Sequence, residues 1–179
     1  MFAFVSGNLA LDFAGTVRAR TTDPEDLLDS PAALGAWLVA ADLLDTAPDC
    51  GADDLDRAVR LREAVYRMAI AAINGEPPAD ADRRLVNARA RGELPRVALR
   101  SDGAIARDGG ADTALTAVAR SAVELLGGAE RALVKECGRA TCTRLYVDTS
   151  RGGSRRWCDM TRCGNRAKSA AFRARQTSD

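Results

Sequence analysis

Four cysteines, Cys137, Cys142, Cys158 and Cys163, are the residues of this 179-residue chain best suited to chemistry. Four residues separate the members of each pair, and fifteen lie between the pairs. Two close pairs joined by a loop are what a tetrahedral thiolate site needs, each pair giving half the ligands. The chain has no histidine, so a zinc site here must be all-cysteine and closed. Such a site is structural, because no coordination position remains for water or substrate. Two disulfides are the alternative, but nothing marks a secreted protein. Met1-Phe2-Ala3-Phe4-Val5 has no basic region, and Asn8 and Asp12 break the apolar stretch, so neither a signal peptide nor a membrane span is expected. A reducing cytoplasm keeps thiols free for metal. Cys50, alone in Pro-Asp-Cys-Gly-Ala-Asp-Asp, reads as a free thiol in or near a loop.

Charge is the second signal. From Arg131 to Asp179 there are 12 Lys+Arg against 4 Asp+Glu, a balance of +8. The chain before Arg131 balances at −7, so the net charge of +1 conceals two opposed halves. Zinc and four thiolates would leave the basic segment at about +6. A compact segment of that charge suits a polyanion, most simply nucleic acid. Docking of the basic segment on the acidic one is the alternative, and both can hold in different states. The candidate DNA contacts are Arg151, Arg155, Arg156, Arg162, Asn165, Arg166, Lys168, Arg173 and Arg175. Arg162, Arg166, Ser169 and Arg173 recur at helical spacing on one face. Arginine there can neutralise phosphates or read guanine by paired hydrogen bonds, and Asn165 could read adenine. A merely solvated arginine face is the bland reading. Trp157, beside a ligand, reads as a core plug.

The elements that must position these residues follow from periodicity and breakers. Ser6–Arg20 places Leu9, Ala10, Phe13, Ala14 and Val17 at helical spacing, with Ser6 or Asn8 as cap. Thr21-Thr22-Asp23-Pro24 breaks it. Ser30-Pro31 starts a helix carrying Leu34, Trp37, Leu38, Ala41 and Leu44, with Trp37 in the core. A long helix spans about 53–73 and a polar one about 79–91. Alternation from Leu94 to Ala106 around Ser101-Asp102-Gly103 predicts a β-hairpin. Asp112 caps a helix that Gly127-Gly128 stops. The fold class is α+β: a mainly helical domain over 1–128 with a small hairpin, then a treble-clef-like finger over 129–179. In the finger, 132–136 and 144–147 are expected as strands, with the first cysteine pair in the turn between them. Five residues turn an ideal helix by about 500°, so Cys158 and Cys163 cannot share a helix face. Cys158 is therefore placed before the last helix and Cys163 in its first turn. So small a unit cannot bury enough surface to fold alone, and zinc should supply most of its folding free energy.

Arg155-Arg156-Trp157-Cys158-Asp159-Met160, then Cys163-Gly164-Asn165-Arg166 and Lys168, resembles the CGNR zinc finger. Tyr146-Val147-Asp148 and Phe172-Arg173-Ala174-Arg175 fit the same pattern, so the resemblance covers roughly 136–175. Leu9 to Val17, Leu27-Leu28 and the Leu34/Trp37/Leu38 helix resemble the opening of the ABATE domain that precedes such fingers. That family usually has asparagine just before Thr16, where this chain has Gly15. The resemblance implies a bacterial, stress-linked transcription regulator of the cytoplasm, in which a DNA-binding finger follows a sensor domain. The implied cofactor is Zn2+, and the implied partners are duplex DNA and a small-molecule ligand of the N-terminal domain; because so small a finger would bind weakly alone, a homodimer or a second protein is expected to raise affinity. Asp12, Thr16 and Arg18 are the candidate ligand contacts, although hydrogen bonding at the helix end is the commoner role for Asp12. A protein-interaction adaptor, with zinc only fixing its shape, is the competing function. RNA binding is disfavoured by scarce aromatics, at 4%. An enzyme is not expected: no nucleophile–base pair, phosphate loop or open metal site is present, and histidine, the commonest general base, is missing.

Overall fold

The computed structural model describes residues 1–169. The chain begins with α1 (Leu9–Ala14), the ribbon β1 (Val17–Arg18) and β2 (Glu25–Asp26), and α2 (Pro31–Ala40). It continues through α3 (Ala52–Ile73), α4 (Asp80–Ala90), the hairpin β3 (Arg96–Leu99) and β4 (Ile105–Asp108), and α5 (Ala111–Gly127). A 3-10 turn (Ala129–Leu133) then leads into β5 (Val134–Glu136) and β6 (Leu145–Val147), and a single π-helical turn (Met160–Gly164) follows. All three strand pairs are antiparallel. The α+β class is as the sequence implied. Among the described residues, no helix is long and apolar enough to cross a membrane.

The core forms where α1, α2, α3 and α5 turn their apolar stripes inward. Phe13, Leu34, Trp37, Leu38, Leu61, Val65, Leu115 and Val118 are all at most 1% exposed. Trp37 lies against Phe13, with ring centroids 4.8 Å apart. Each such side chain contributes about 1.5–3 kcal/mol on burial.

Predicted boundaries differ at several points. The second helix ends at Ala40, short of Ala41 and Leu44, and Asp42 just beyond it takes a φ of +55°. The first helix stops at Ala14, because Thr16 folds back on it: its N–H and Oγ1 both donate to the Phe13 carbonyl, at 3.1 and 2.7 Å. Val17 and Arg18 then pair with Asp26 and Glu25 as a strand. Of the two candidate caps Asn8 serves, its Oδ1 accepting from Ala10 and Leu11. The fifth helix is capped at Gly110, not Asp112. Thr113 Oγ1 closes that end by accepting from the Gly110 N–H. Asp112 instead sits in the first turn and pairs with Arg89 and Arg57.

The β5–β6 hairpin is the joint between the two halves. Alternation along β6 sends Leu145 and Val147 one way and Tyr146 the other. Leu145, Val147 and Val134 pack with Leu11, Ala69 and Leu125 of the helical domain. Tyr146 packs with the cysteines. Polar links reinforce the joint. Arg144 donates to the carbonyls of Ala3 (2.8 Å) and Gly15 (3.3 Å). The Arg20 N–H donates to Thr143 Oγ1, and the Val147 N–H to the Ser6 carbonyl.

Candidate zinc centre and the surface around it

The knuckle between β5 and β6 supplies the first two thiols. The Cys137 N–H donates to the Arg144 carbonyl and the Cys142 N–H to the Arg139 carbonyl, which curls the turn around its cysteines. The second pair is placed by Asp159. Its Oδ1 accepts from the N–H and Oγ1 of Thr161, and its carbonyl accepts the N–H groups of Cys163 and Gly164. Cys158 lies just before this turn and Cys163 within it, as the 500° argument required. A Cβ at Gly164 would lie 2.9 Å from Met160 Sδ and 3.3 Å from Trp157, a contact that the flexible Met160 side chain could relieve by shifting.

All four sulfur atoms lie within 4.8 Å of one another. Cys158 Sγ is 3.8 Å from Cys142 Sγ and 3.7 Å from Cys163 Sγ. A tetrahedron with Zn–S bonds of about 2.3 Å has edges of about 3.8 Å. The donor set, the closed geometry and the absence of histidine therefore fit Zn2+. Bound there, zinc would be held by Cys137 and Cys142 of the knuckle and by Cys158 and Cys163 at the helical turn, and would cross-link the two. S–H donation from Cys142 and Cys158 holds Cys137 well below the usual thiol range. The same donation pushes Cys142 up to about 11 and Cys158 far above its ordinary value. Metal uptake must displace those protons.

The loop joining the halves of the site is held by Asp148. Its side chain is buried and accepts from Lys135 Nζ (2.6 Å), Ser150 N–H and Oγ, and the Arg155 N–H. Lys135 first, then Ser150, hold its carboxyl far below the usual carboxylate range. Gly152 and Gly153 take φ of +74° and +62°, the left-handed turn that glycine adopts freely. Tyr146 Oη donates to the Arg155 carbonyl.

The candidate contact residues fall into three groups. Arg151, Arg156, Arg162, Asn165, Arg166 and Lys168 are exposed. Arg156 lies 5.5 Å over the half-buried Trp157 ring, and Asn165 also donates to the Thr161 carbonyl. Arg155 is used internally: it donates to the carbonyls of Trp157, Val5 and Cys158, and stacks on Tyr146 at 4.5 Å. Arg173 and Arg175 lie outside the described residues. Within the finger, the ion pair among the described residues is Lys135–Asp148. Arg139, Arg151, Arg156, Arg162, Arg166 and Lys168 form none there. The helical domain is different: Arg18, Arg20, Arg62, Arg67 and Arg100 each hold a carboxylate of that domain. The finger docks through apolar side chains, Arg144 and Arg155, while Arg151, Arg156, Arg162, Arg166 and Lys168 stay exposed.

Asp12, Thr16 and Arg18 do not converge. Asp12 is buried, and its Oδ1 accepts the N–H groups of Val5 and Ser6, both at 3.0 Å. Desolvation pushes its carboxyl up, against those bonds and Arg144. Thr16 Oγ1 is spent on Phe13, and Arg18 is paired with Glu25. Arg18 alone of the three lines a cleft of about 700 Å³ between the β1–β2 ribbon and the knuckle. Arg139, Arg162 and Arg166 line its other wall. Sequence reading missed Arg144, whose guanidinium fills the space beside Gly15. A Cβ at Gly15 would lie 3.0 Å from Arg144 Nη1. It also missed Arg62, only 2% exposed, clamped by Asp26 and Glu63. An arginine at a core-facing position of α3 was the signal available.

Two family models match the chain. ABATE, described as "putative stress-induced transcription regulator", matches residues 7–129. The CGNR zinc finger matches residues 134–176. A search of the curated proteins finds no match.

Proposed function

The chain belongs to the ABATE family and ends in a CGNR zinc finger, and on that premise we propose that it is a cytoplasmic transcription regulator whose finger binds duplex DNA. The observation that carries this reading is the contrast in ion pairing. Among the described residues, eleven of the fourteen arginines of the helical domain pair with carboxylates, whereas six finger cations make no ion pair. Cations kept exposed on a zinc-fixed frame are suited to phosphates. Arg162 and Arg166 lie on and just after the π-helical turn that zinc would anchor, so their positions depend on the metal. Arg151 and Arg156 add charge from the loop. Arg155 is left out of the interface, because its guanidinium is already satisfied.

A sensed molecule would be best placed in the cleft between ribbon and knuckle, where the two halves both contribute walls. An adaptor function would use the same surface on an acidic protein. Fluorescence anisotropy of zinc-loaded protein on random duplex DNA, at several salt concentrations, tests the reading. A steep loss of affinity with salt supports it; absence of binding at low salt, with zinc confirmed, favours the adaptor.

A further inference from the structure

Away from the amino terminus, the β3–β4 hairpin carries the most exposed large apolar side chains among the described residues. Val97 is 71% exposed, Leu99 79% and Ile105 50%. The register pairs Val97 with Arg107 and Leu99 with Ile105, so these four share one face. Arg96, Ala98, Arg100, Ala106 and Asp108 share the other.

The two edges of the hairpin differ. The Arg100 N–H donates to the Ala104 carbonyl, so the backbone groups of 100, 98 and 96 point inward at β4. Those of Val97 and Leu99 point outward. On β4 the outward positions are Ile105 and Arg107, and Arg107 is covered: its N–H donates to Asp45 Oδ2 and its carbonyl accepts the Asp45 N–H. For Val97 and Leu99 no such cover is present among the described residues. Edge strands are usually blunted by charge. Here the flanking arginines are neutralised within the chain, Arg96 by Asp108 and Arg100 by Asp45, each at 2.6 Å.

We propose that β3 pairs antiparallel with β3 of a second copy of this chain, across a two-fold axis at Ala98, to form a four-stranded sheet. This register sets Val97 opposite Leu99 of the second copy, and each such pair can exchange both N–H···O bonds. Both residues have the outward N–H and C=O groups this requires. The apolar face becomes continuous across the axis. At each end, Arg96 with Asp108 faces Arg100 with Asp45 of the second copy, so opposite charges can exchange partners. Ala98, small and exposed, sits at the axis where strands approach most closely. Edge pairing of two four-residue strands is a small contact beside the roughly 1,200 Å² of a stable complex. It is therefore a weak dimer, of a kind that a shared DNA site would hold together. The pairing does not depend on DNA, and its failure would leave the DNA reading untouched.

The test is Ala98→Cys in the full zinc-loaded chain, in a glutathione redox buffer with excess zinc. Across the axis the Cα atoms would be about 4.5 Å apart, within the range of roughly 4.4–6.8 Å that a disulfide spans. Ala106→Cys is the control, since its copies would lie about 14 Å apart, three strand spacings. The expected result is a covalent dimer for Ala98→Cys and no more than the wild-type background for Ala106→Cys. Adding Val97→Pro removes an outward N–H that the hairpin itself does not use, and should abolish the cross-link. Equal cross-linking of both cysteine variants, or none, would overturn the proposal. Cross-linking that survives Val97→Pro would also overturn it.

Discussion

Leu145→Ala is expected to destabilise the finger and the helical domain together. Leu145 is 1% exposed and packs with Leu11, Ala69 and Leu125 from the helical side. Truncation removes three carbons, about 2.4 kcal/mol at about 0.8 kcal/mol each. The residual cavity raises this to about 3–4 kcal/mol, because Leu11 and Leu125 belong to helices that cannot collapse into the gap. For a chain of this length each kcal/mol shifts Tm by about 2–4 °C, so a fall of about 10 °C is expected. Far-UV circular dichroism at fixed excess zinc measures the helices, and zinc loss to a chelator measures the finger. Both should worsen. If zinc is lost faster while the helical Tm holds within about 1 °C, the two halves melt independently. The shared cluster would then not be the joint described above.

Three further outcomes are expected. Asp12→Ala should cost about 1–3 kcal/mol, because it leaves the N–H groups of Val5 and Ser6 without their acceptor. Asp12→Asn keeps an acceptor and removes a carboxyl whose folded pKa is raised, a penalty present once pH exceeds the usual carboxylate range. Denaturant unfolding at pH 7 should therefore find it near neutral; equal losses for both variants would point to a role for the charge itself. Asp148 has the opposite sign: its folded pKa is depressed, so its contribution is complete above about pH 5 and falls away as pH drops further. Asp148→Asn should be less stable at pH 7 and show a flatter acid limb, followed by thermal melts from pH 7 to 3. Chelation of zinc should change the emission of Trp157, which packs on the cysteines, and leave most helical signal, because the main core contains none of the four. Global unfolding on chelation would contradict that division.

The cysteine cluster was legible because its spacing is local chemistry, and α2 to α5 because periodicity and chain breakers agree, although the cap of α5 was misplaced. The end of α1 was not. Leu9 to Val17 keeps helical periodicity, but Thr16 turns back on Phe13 and Val17 finds a strand partner in Asp26, a pairing periodicity does not show. Arginine was the residue that sequence reading resolved least. Arg155 and Arg166 look alike in a basic run, yet one is consumed by backbone carbonyls and the other stays exposed. Arg144 reaches a carbonyl 141 residues away, at Ala3. Such contacts have no period; they follow from which faces the apolar clusters bring together.

The most direct test is the salt dependence of DNA binding by Arg162→Ala/Arg166→Ala beside wild type. Both side chains are exposed and make no ion pair among the described residues, so zinc content and Tm should not change. If each contacts a phosphate, the slope of log K against log salt should fall in magnitude by about 2, with weaker binding on every sequence. An unchanged slope and affinity, with zinc bound, would contradict the reading of this surface as the DNA interface.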